Sequence, residues 1–311
     1  MSGFTVLGAS GYIGSHLVAH LRALGHSVWA PARGAAEVLT RPLGHVLYCV
    51  GLTGDFRTRP FDTVAAHVGL LAELLRRARF DSLLYLSSTR VYQGAGRTDE
   101  DAPLALLPGQ PCGLYNLSKL CGEALCHASG RAGVRVARLS NVVGPGMDAA
   151  SGNLLASLVQ QARQGHVQLR SDPRSVKDYL HLADLLDWLP QIALTGCATV
   201  YNVASGLQTS HAQWLAWLQQ RTGCTVHWPE GAPLQQFEPI AVHRLRAEWN
   251  WRPRPVFSDD LFVAAPAPAV PLAPAMPAAP SVPSVPSVPS VPSVPSVPAA
   301  AFVGAAKAGS R

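Results

Sequence analysis

A tyrosine and a lysine four residues apart are the pair in this sequence best suited to acid–base chemistry. Tyr115 and Lys119 lie in a segment of helical pattern, and residues four apart share one face of a helix. A phenol titrates near pH 10, and an ammonium group within about 4–6 Å lowers that pKa by favouring the phenolate. The pair predicts a proton-transferring tyrosine, with Lys119 supplying the charge. The alternative is a tyrosine and a lysine that share a helix by chance.

A serine hydroxyl is the third candidate for the chemistry. Ser88 follows an apolar strand predicted over 82–86. A hydroxyl at the end of a strand could hydrogen-bond a reacting oxygen and orient it. Ser88, Tyr115 and Lys119 are therefore the predicted catalytic residues.

A glycine-rich turn near the start of the chain predicts a phosphate site. It follows an apolar strand over 4–7 and leads into an apolar-striped helix. The first glycine turns the backbone, the second lets a pyrophosphate approach the main chain, and the third lets the helix pack on the strand. The free N–H groups of the helix then face the anion. The predicted dinucleotide-binding residues are Gly8, Ser10, Gly11, Tyr12, Ile13 and Gly14.

The end of the second strand bears on the choice of dinucleotide. That strand is predicted over 27–31 and is followed by Ala32 and Arg33. A carboxylate there would accept hydrogen bonds from the adenine ribose of NAD, whereas a guanidinium suits a 2′-phosphate. Arg33 therefore favours NADP over NAD as cofactor, the alternative being an arginine that is only solvated.

Strands and helices alternate around these residues. Further strands are predicted over 45–51 and 134–139, and helices over 65–79 and from residue 111 onward. This alternation predicts an α/β fold, a Rossmann-type doubly wound parallel sheet. Ligands on such sheets lie at the carboxyl ends of the strands, where Gly8, Arg33, Gly51 and Ser88 all fall. About a dozen residues separate the second and third strands, which indicates a degenerate β-α unit.

The second half of the sequence has shorter elements. Helices are predicted over 153–164, 182–194 and 211–221, which indicates a smaller α+β substrate lobe over the cleft. The predicted domain is 1–262, with a Rossmann core of about 1–150 plus 176–205. Beyond it Pro and Ala dominate, and Ser-Val-Pro repeats six times over 281–298. Residues 263–311 are therefore predicted to form a disordered tail, with partner binding as the alternative.

Composition excludes several classes of protein. The 311 residues are 48% hydrophobic and 14% charged, and no apolar run is long enough for a membrane span. The first strand begins almost at once, which argues against a leader and favours the cytoplasm. Six cysteines without metal-ligand spacing predict buried free thiols and no metal site. The net charge of +6 suits an anionic cofactor and substrate, and no dense basic run indicates nucleic-acid binding.

Four motifs in order carry a family resemblance. They are the glycine turn 8–14, the segment 87–92 (SSTRVY), the Tyr115-x-x-x-Lys119 pair, and the segment 138–146 (RLSNVVGPG). The chain resembles the extended short-chain dehydrogenase/reductase family over residues 4–262. It is similar in particular to its NAD(P)-dependent epimerase/dehydratase branch, which acts mostly on nucleotide-linked sugars.

The resemblance implies roles for individual residues. It makes Ser88 catalytic, with Thr89 as the alternative for a register shifted by one and as a substrate contact. It lets Lys119 also hold the nicotinamide ribose. Further implied residues are Val50 and Gly51 under the cofactor, Asn141 near the nicotinamide or sugar, and Lys177 on the substrate diphosphate. Charge placement adds Arg174 as a helper of Lys177, the alternative being a Lys177 that is only a solvated loop charge.

Departures from the family pattern narrow the expected activity. Thr89-Arg90 stands where sugar 4,6-dehydratases carry Asp-Glu, which argues against a dehydratase. The late arginine that many relatives use for a phosphate has no clear match over 233–244. We expect hydride transfer between NADP or NAD and a nucleotide-linked sugar, by an epimerase or a keto-sugar reductase, with a homodimer also allowed. The alternatives are an NADP-dependent reductase of a small carbonyl and a non-catalytic NADP(H) sensor, and the Ser88–Tyr115–Lys119 set disfavours the sensor.

Overall fold

The computed structural model describes residues 2–110 and 112–263. The predicted tail, from residue 264 onward, lies outside the described residues. Within them, 11 strands and 8 α-helices follow one another along the chain.

A six-stranded sheet forms the centre of the fold, and all of its neighbouring strands pair in parallel. The spatial order is β2-β1-β3-β4-β5-β9. These strands are β1 (Gly3–Leu7), β2 (Ser27–Trp29), β3 (His45–Tyr48), β4 (Ser82–Ser88), β5 (Val134–Leu139) and β9 (Val200–Val203). The reversal of order beside β1 is the switch point at which such sheets bind ligands. The predicted Rossmann-type fold is confirmed.

Helices cover both faces of this sheet. Each face carries its own apolar core, one including Leu17, Leu84 and Leu185 and the other including Leu71, Leu74 and Tyr85. Because helices cover both faces, β4 is buried along its whole length. Strands buried in this way have continuous apolar sequences. The helices are α1 (Tyr12–Ala23), α2 (Pro60–Val64), α3 (Leu70–Arg77), α4 (Gly113–Ala128), α5 (Leu154–Arg163), α6 (Leu182–Thr195), α7 (His211–Thr222) and α8 (His243–Trp249).

The connection between β2 and β3 is short, as the spacing predicts. A single 3₁₀ turn, Ala36–Leu39, replaces a full crossover helix, and its Val38 packs into the core. The strand predicted over 45–51 ends at Tyr48, so Val50 and Gly51 belong to the loop at the carboxyl edge of the sheet.

The helix predicted over 65–79 begins five residues earlier, at Pro60. Proline is suited to a first helical turn because its fixed φ is helical and its missing N–H is not needed there. A π-helical turn, Ala65–Gly69, separates α2 from α3. Such turns are rare and often mark functional sites.

The remaining strands build the smaller lobe. β8 (Val176–His181) pairs in parallel with β6 (Asn141–Val143) and antiparallel with β10 (Gln208–Ser210). β7 (His166–Gln168) pairs with β11 (Thr225–His227). α5 and α7 pack over a third apolar core around the fully buried Trp214. The predicted limits of β5 and of the segment 176–181 agree with the structure.

All six cysteines are free, but the prediction that they are buried holds for two. Cys126 and Cys224 are buried, Cys121 and Cys197 are exposed, and Cys49 and Cys112 are half-buried. Cys121 is exposed because it lies on the outer face of α4, opposite the residues that pack on the sheet. Among the described helices, none has the length and apolar character that a membrane crossing requires.

Candidate active site

The glycine turn between β1 and α1 forms a close-packed cradle. Gly8 has φ of +81°, a conformation that disfavours other residues, and a Cβ there would lie 2.7 Å from the carbonyl oxygen of Cys49. A Cβ on Gly14 would lie 2.3 Å from the carbonyl oxygen of Gly8. Two of the three glycines are thus required by packing alone, as the sequence predicts.

The N-terminus of α1 suits an anion. No side chain caps it at Gly11, and its first turn holds no acidic residue. Ser10 and Gly11 are exposed at this end, while Tyr12 and Ile13 are half-buried. Unsatisfied N–H groups and the positive end of the helix dipole therefore face open space, which fits a pyrophosphate.

Arg33 lies just past the end of β2, on the same edge of the sheet. Its side chain is exposed and forms no ion pair within the described residues. The guanidinium is therefore available to a ligand that lies across the edge of β1 and β2.

Tyr115 and Ser88 meet at the carboxyl end of β4. The α4 helix carries Tyr115, which is 4% exposed, and Ser88 ends the strand. Burial raises the pKa of the Tyr115 phenol, and hydrogen bonding from the hydroxyls of Ser88 and Thr53 opposes that rise. The alternative hydroxyl, Thr89 Oγ1, donates instead to the carbonyl oxygen of Leu139 at 3.3 Å. The geometry therefore brings Ser88, and not Thr89, to the tyrosine.

The cation that acts on Tyr115 is one that sequence reasoning did not assign. The Arg90 guanidinium carbon lies 5.0 Å from the centre of the Tyr115 ring, and its charge lowers the pKa that burial raises. The spacing of Tyr115 and Lys119 predicted that Lys119 supplies this charge. Arg90 follows the strand end by two residues, so its position was a signal that it could reach the site. Thr53, after Gly51, had no comparable signal.

Lys119 is buried one helical turn after the tyrosine. Its Nζ donates to the carbonyl oxygen of Leu86 at 2.8 Å. A Cβ on Gly51 would lie 3.3 Å from the same Nζ. Burial lowers the pKa of Lys119 to about 7, against the opposing influence of Glu123 and Cys49. Two of its three donors remain for a ligand in the space that the glycine leaves open.

His67, on the π-helical turn, is a second residue that the sequence analysis missed. It is fully buried, and its ring meets the Tyr115 ring edge to face, with centres 5.3 Å apart. Nδ1 lies 2.8 Å from Ser118 Oγ, while Nε2 has no partner within the described residues. A Cβ on Gly51 would lie 3.2 Å from Nε2. An orphaned buried nitrogen beside a glycine that leaves room fits a hydroxyl-bearing ligand, such as a cofactor ribose.

The predicted substrate residues lie on β6 and β8. Asn141 donates through Nδ2 to the carbonyl oxygen of Asp178 at 2.8 Å, which ties the two strands together. Lys177 is half-buried. Burial is the main cause that lowers its pKa, and the charge of Arg90 is the second. The proposed helper, Arg174, is instead paired with Asp172 at 2.7 Å and is 79% exposed. It takes that position because both residues belong to one tight turn.

Comparison with known proteins places the chain in a family. The model of the NAD dependent epimerase/dehydratase family matches residues 4–204. The chain belongs to that family, as its motifs predict. The nicotinamide dinucleotides NAD and NADP are accordingly its class of cofactor, and the cradle at Gly8 and Gly14 fits one.

Curated relatives include two sugar-nucleotide reductases. A dTDP-4-dehydro-6-deoxy-D-allose reductase from Streptomyces sp is 25% identical over 257 residues, covering 67% of this chain and 78% of that protein. A GDP-6-deoxy-D-mannose reductase from Pseudomonas aeruginosa is 29% identical over 228 residues, covering 65% and 74%.

Solved structures share the fold. The structure of RMD from Pseudomonas aeruginosa complexed with NADPH has a TM-score of 0.69 and 24% identity, covering 84% of this chain and 97% of that one. A dTDP-glucose 4,6-dehydratase from Bacillus anthracis, in complex with NAD, has a TM-score of 0.67 and 20% identity, covering 84% and 94%.

Proposed function

We propose that this protein is an NADP-dependent reductase of a nucleotide-linked keto sugar. The observation that carries the proposal is the Tyr115 hydroxyl beside Ser88, with Lys119 buried behind it at the carboxyl edge of the sheet. When bound, the nicotinamide supplies or accepts a hydride. Everything else in the reaction is assigned to side chains of this chain.

The protonation state of Tyr115 favours the reductive direction. Because burial raises its pKa, the phenol holds its proton at neutral pH. As a hydride adds to a carbonyl carbon, Tyr115 can donate that proton to the carbonyl oxygen, giving an alcohol and a phenolate. Arg90 stabilises the phenolate by its charge, and Ser88 orients the oxygen.

Lys119 is assigned to the cofactor. Its free N–H donors face the space beside Gly51, and a ribose there would receive them. The proposed cofactor contacts also include the turn from Gly8 to Gly14, with Val50 and Gly51 under the dinucleotide. Arg33 would pair with a 2′-phosphate, which supports NADP over NAD.

Lys177 is assigned to the diphosphate of the substrate. It is half-buried on β8, and no carboxylate pairs with it among residues 2–110 and 112–263. The two curated relatives act, by their names, on dTDP- and GDP-linked sugars, which supports a substrate of this class.

Substitution of the tyrosine tests the chemistry. Tyr115→Phe keeps the packing of the ring and removes the proton, so turnover of a nucleotide-linked keto sugar should fall about 10²- to 10⁴-fold. NADPH binding, measured by fluorescence, should change little. Wild-type turnover in this variant would refute the assignment.

Substitution of the lysine tests the substrate class. Lys177→Ala should raise the KM for the nucleotide-linked sugar by one to two orders of magnitude, about 1.5–3 kcal/mol for a charge-assisted contact. Cofactor affinity should stay constant. Reduction of small uncharged ketones without any activity on nucleotide-linked sugars would favour a general carbonyl reductase instead. If the wild-type protein equilibrates epimeric sugars without net NADPH consumption, it is an epimerase.

We propose a homodimer as the assembly. Apolar side chains are exposed on α2 and α4, two helices that contact each other. Phe61 is 87% exposed, and Val64, Leu114 and Leu117 are 36–40% exposed. A second copy could bury this face. Light scattering should give twice the mass of the chain, and Phe61→Ser should shift it toward the monomer.

A further inference from the structure

Two arginine side chains meet at the sulfur of Cys112, and one of them lies over the Tyr115 ring. Arg90 Nη2 donates to Cys112 Sγ at 3.1 Å, and Arg57 Nη2 approaches the same sulfur at 3.5 Å. Lys177 is half-buried on β8, where burial and then the charge of Arg90 lower its pKa. We refer to Arg57, Arg90 and Lys177 as the cation cluster.

The cation cluster has no carboxylate among the described residues. Each of its members is absent from the ion pairs that other arginines form there. Arg59, two residues from Arg57, pairs with both Asp55 and Asp62. Arg90 and Lys177 are half-buried, and Arg57 is exposed. Like charges held near one another disfavour one another, and an anion placed among them reduces that cost. The cluster therefore has the charge of an anion site.

The position of the cluster determines which part of a substrate it meets. Arg90 lies over the Tyr115 ring and acts on its hydroxyl. That hydroxyl must lie within about 3 Å of the reacting sugar oxygen to transfer a proton. Arg90 therefore faces the sugar ring itself, and the diphosphate, bonded at another ring carbon, lies farther from Tyr115.

An aromatic side chain fixes the two guanidinium groups. The Phe56 ring is buried, and the guanidinium carbons of Arg57 and Arg90 lie 4.6 and 5.5 Å from its centre. Contacts of this kind hold a guanidinium plane while leaving its N–H donors free. Two oriented guanidinium groups match the oxygens of a carboxylate better than ammonium groups do.

We propose that the sugar carries a carboxylate, which Arg90 and Arg57 bind beside Tyr115 while Lys177 holds the diphosphate. The substrate would then be a nucleotide-linked uronic acid derivative. This inference rests on the proposed function, because it assumes a nucleotide-linked sugar at Tyr115. It adds a chemical group to that substrate and assigns two residues, Arg57 and Arg90, to its recognition.

Matched pairs of ligands test the inference by binding alone. Each pair differs only at C6, as hydroxymethyl or carboxylate: UDP-glucose and UDP-glucuronate, dTDP-glucose and dTDP-glucuronate, and GDP-mannose and GDP-mannuronate. Calorimetry with NADP⁺-saturated protein should show the uronate of the preferred nucleotide binding about 10- to 100-fold more tightly than its neutral partner.

Two substitutions separate the carboxylate from the diphosphate. Arg90→Gln should weaken the uronate about 10- to 100-fold and leave the neutral sugar within about 2-fold. Lys177→Gln should weaken both members of a pair equally, because both carry the diphosphate. Arg59→Gln removes an arginine that already has carboxylate partners and serves as the matched control. Arg90→Lys keeps the positive charge but lacks the two parallel N–H donors of a guanidinium, so it should weaken uronate binding by an intermediate factor. Urea unfolding verifies that each variant is folded.

The outcomes that overturn the inference are distinct from those that overturn the proposed function. Equal affinities for the neutral sugar and the uronate, or equal losses for both in Arg90→Gln, would show that the cluster does not recognise a sugar carboxylate. Failure of every nucleotide-linked sugar to bind, with NADP⁺ binding intact, would refute the proposed function and this inference with it.

Discussion

Two arginines at neighbouring strand ends differ in what surrounds them. Arg138, on β5, is 6% exposed at its side chain and pairs with Glu123, which is 3% exposed. Arg90, just beyond β4, is half-buried and lies in the cation cluster without a carboxylate among the described residues. The first arginine is fully satisfied by the protein and the second is not. A buried charge that is satisfied internally serves the fold, whereas one left unsatisfied at a sheet edge is open to a ligand.

The satisfied pair sits at the junction of three elements. Arg138 contacts both carboxylate oxygens of Glu123 at 2.7–3.2 Å and donates to Tyr92 Oη at 2.7 Å. Ser87 Oγ donates to the same carboxylate at 2.5 Å. This network joins β4, β5 and α4, and α4 is the helix that carries Tyr115 and Lys119. The buried pair therefore fixes the helix that carries the catalytic candidates.

Breaking the satisfied pair should have the largest effect. Glu123→Ala leaves the Arg138 guanidinium buried without its carboxylate, and we expect the free energy of unfolding to fall by about 3–5 kcal/mol in urea titrations. Glu123→Leu combined with Arg138→Met, which removes both charges, should recover much of that loss. A loss below about 1 kcal/mol for Glu123→Ala would mean that the pair does not hold the fold.

His67 is a buried base that, unlike the two arginines, is kept neutral by its surroundings. Burial, aided by the charge of Lys119, lowers its pKa to about 3 from the 6.5 of an exposed imidazole. Between these values the unfolded chain binds more protons than the folded one, so His67 lowers stability as the pH falls from about 6.5 toward 3. His67→Asn removes this contribution.

The pH dependence of unfolding measures the effect. The free energy of unfolding of His67→Asn, relative to that of the wild type, should rise by a few kcal/mol as the pH is lowered from about 6.5 toward 3. His127→Asn, on the exposed face of α4, controls for loss of an imidazole. Parallel pH profiles of the wild type and His67→Asn would show that His67 stays close to its ordinary pKa.

Arg33 lies at another strand end and forms no ion pair among residues 2–110 and 112–263, but it is exposed rather than clustered. If it binds a 2′-phosphate, NADPH should bind more tightly than NADH, and Arg33→Ala should reduce that preference by about 1–3 kcal/mol. Titration of both cofactors against both proteins measures this. Equal affinities in the wild type would remove the reason for favouring NADP.

The unsatisfied cluster should contribute least to stability. Arg57→Gln combined with Arg90→Gln removes two like charges that have no carboxylate partners among residues 2–110 and 112–263. The free energy of unfolding should therefore change by less than about 1 kcal/mol, with an increase at low salt. A loss as large as that of Glu123→Ala would make the cluster structural and erase the contrast with Arg138.

Much of the fold could be predicted because its signals are local. The glycine turn at Gly8, the alternation of apolar strands with striped helices, and the limits of β5 and β8 depend on a few consecutive residues each. The same is true of Tyr115 and Lys119, whose common face follows from helical spacing. The π-helical turn at His67 and the start of α2 at Pro60 were missed, because both depend on packing against α4 and the sheet.

The sequence by itself determined the family and the parallel sheet, since these follow from ordered motifs, from periodicity and from glycines that only one geometry explains. Which strand ends carry chemistry stays a prediction. Tertiary structure alone decided that Ser88 rather than Thr89 faces the tyrosine, that Arg90 rather than Lys119 acts on its hydroxyl, and that Arg174 is taken by Asp172. Those outcomes depend on distances between side chains from separate elements. Burial and Coulomb interactions, which set pKa values and charge pairing, depend on such distances and not on spacing along the chain.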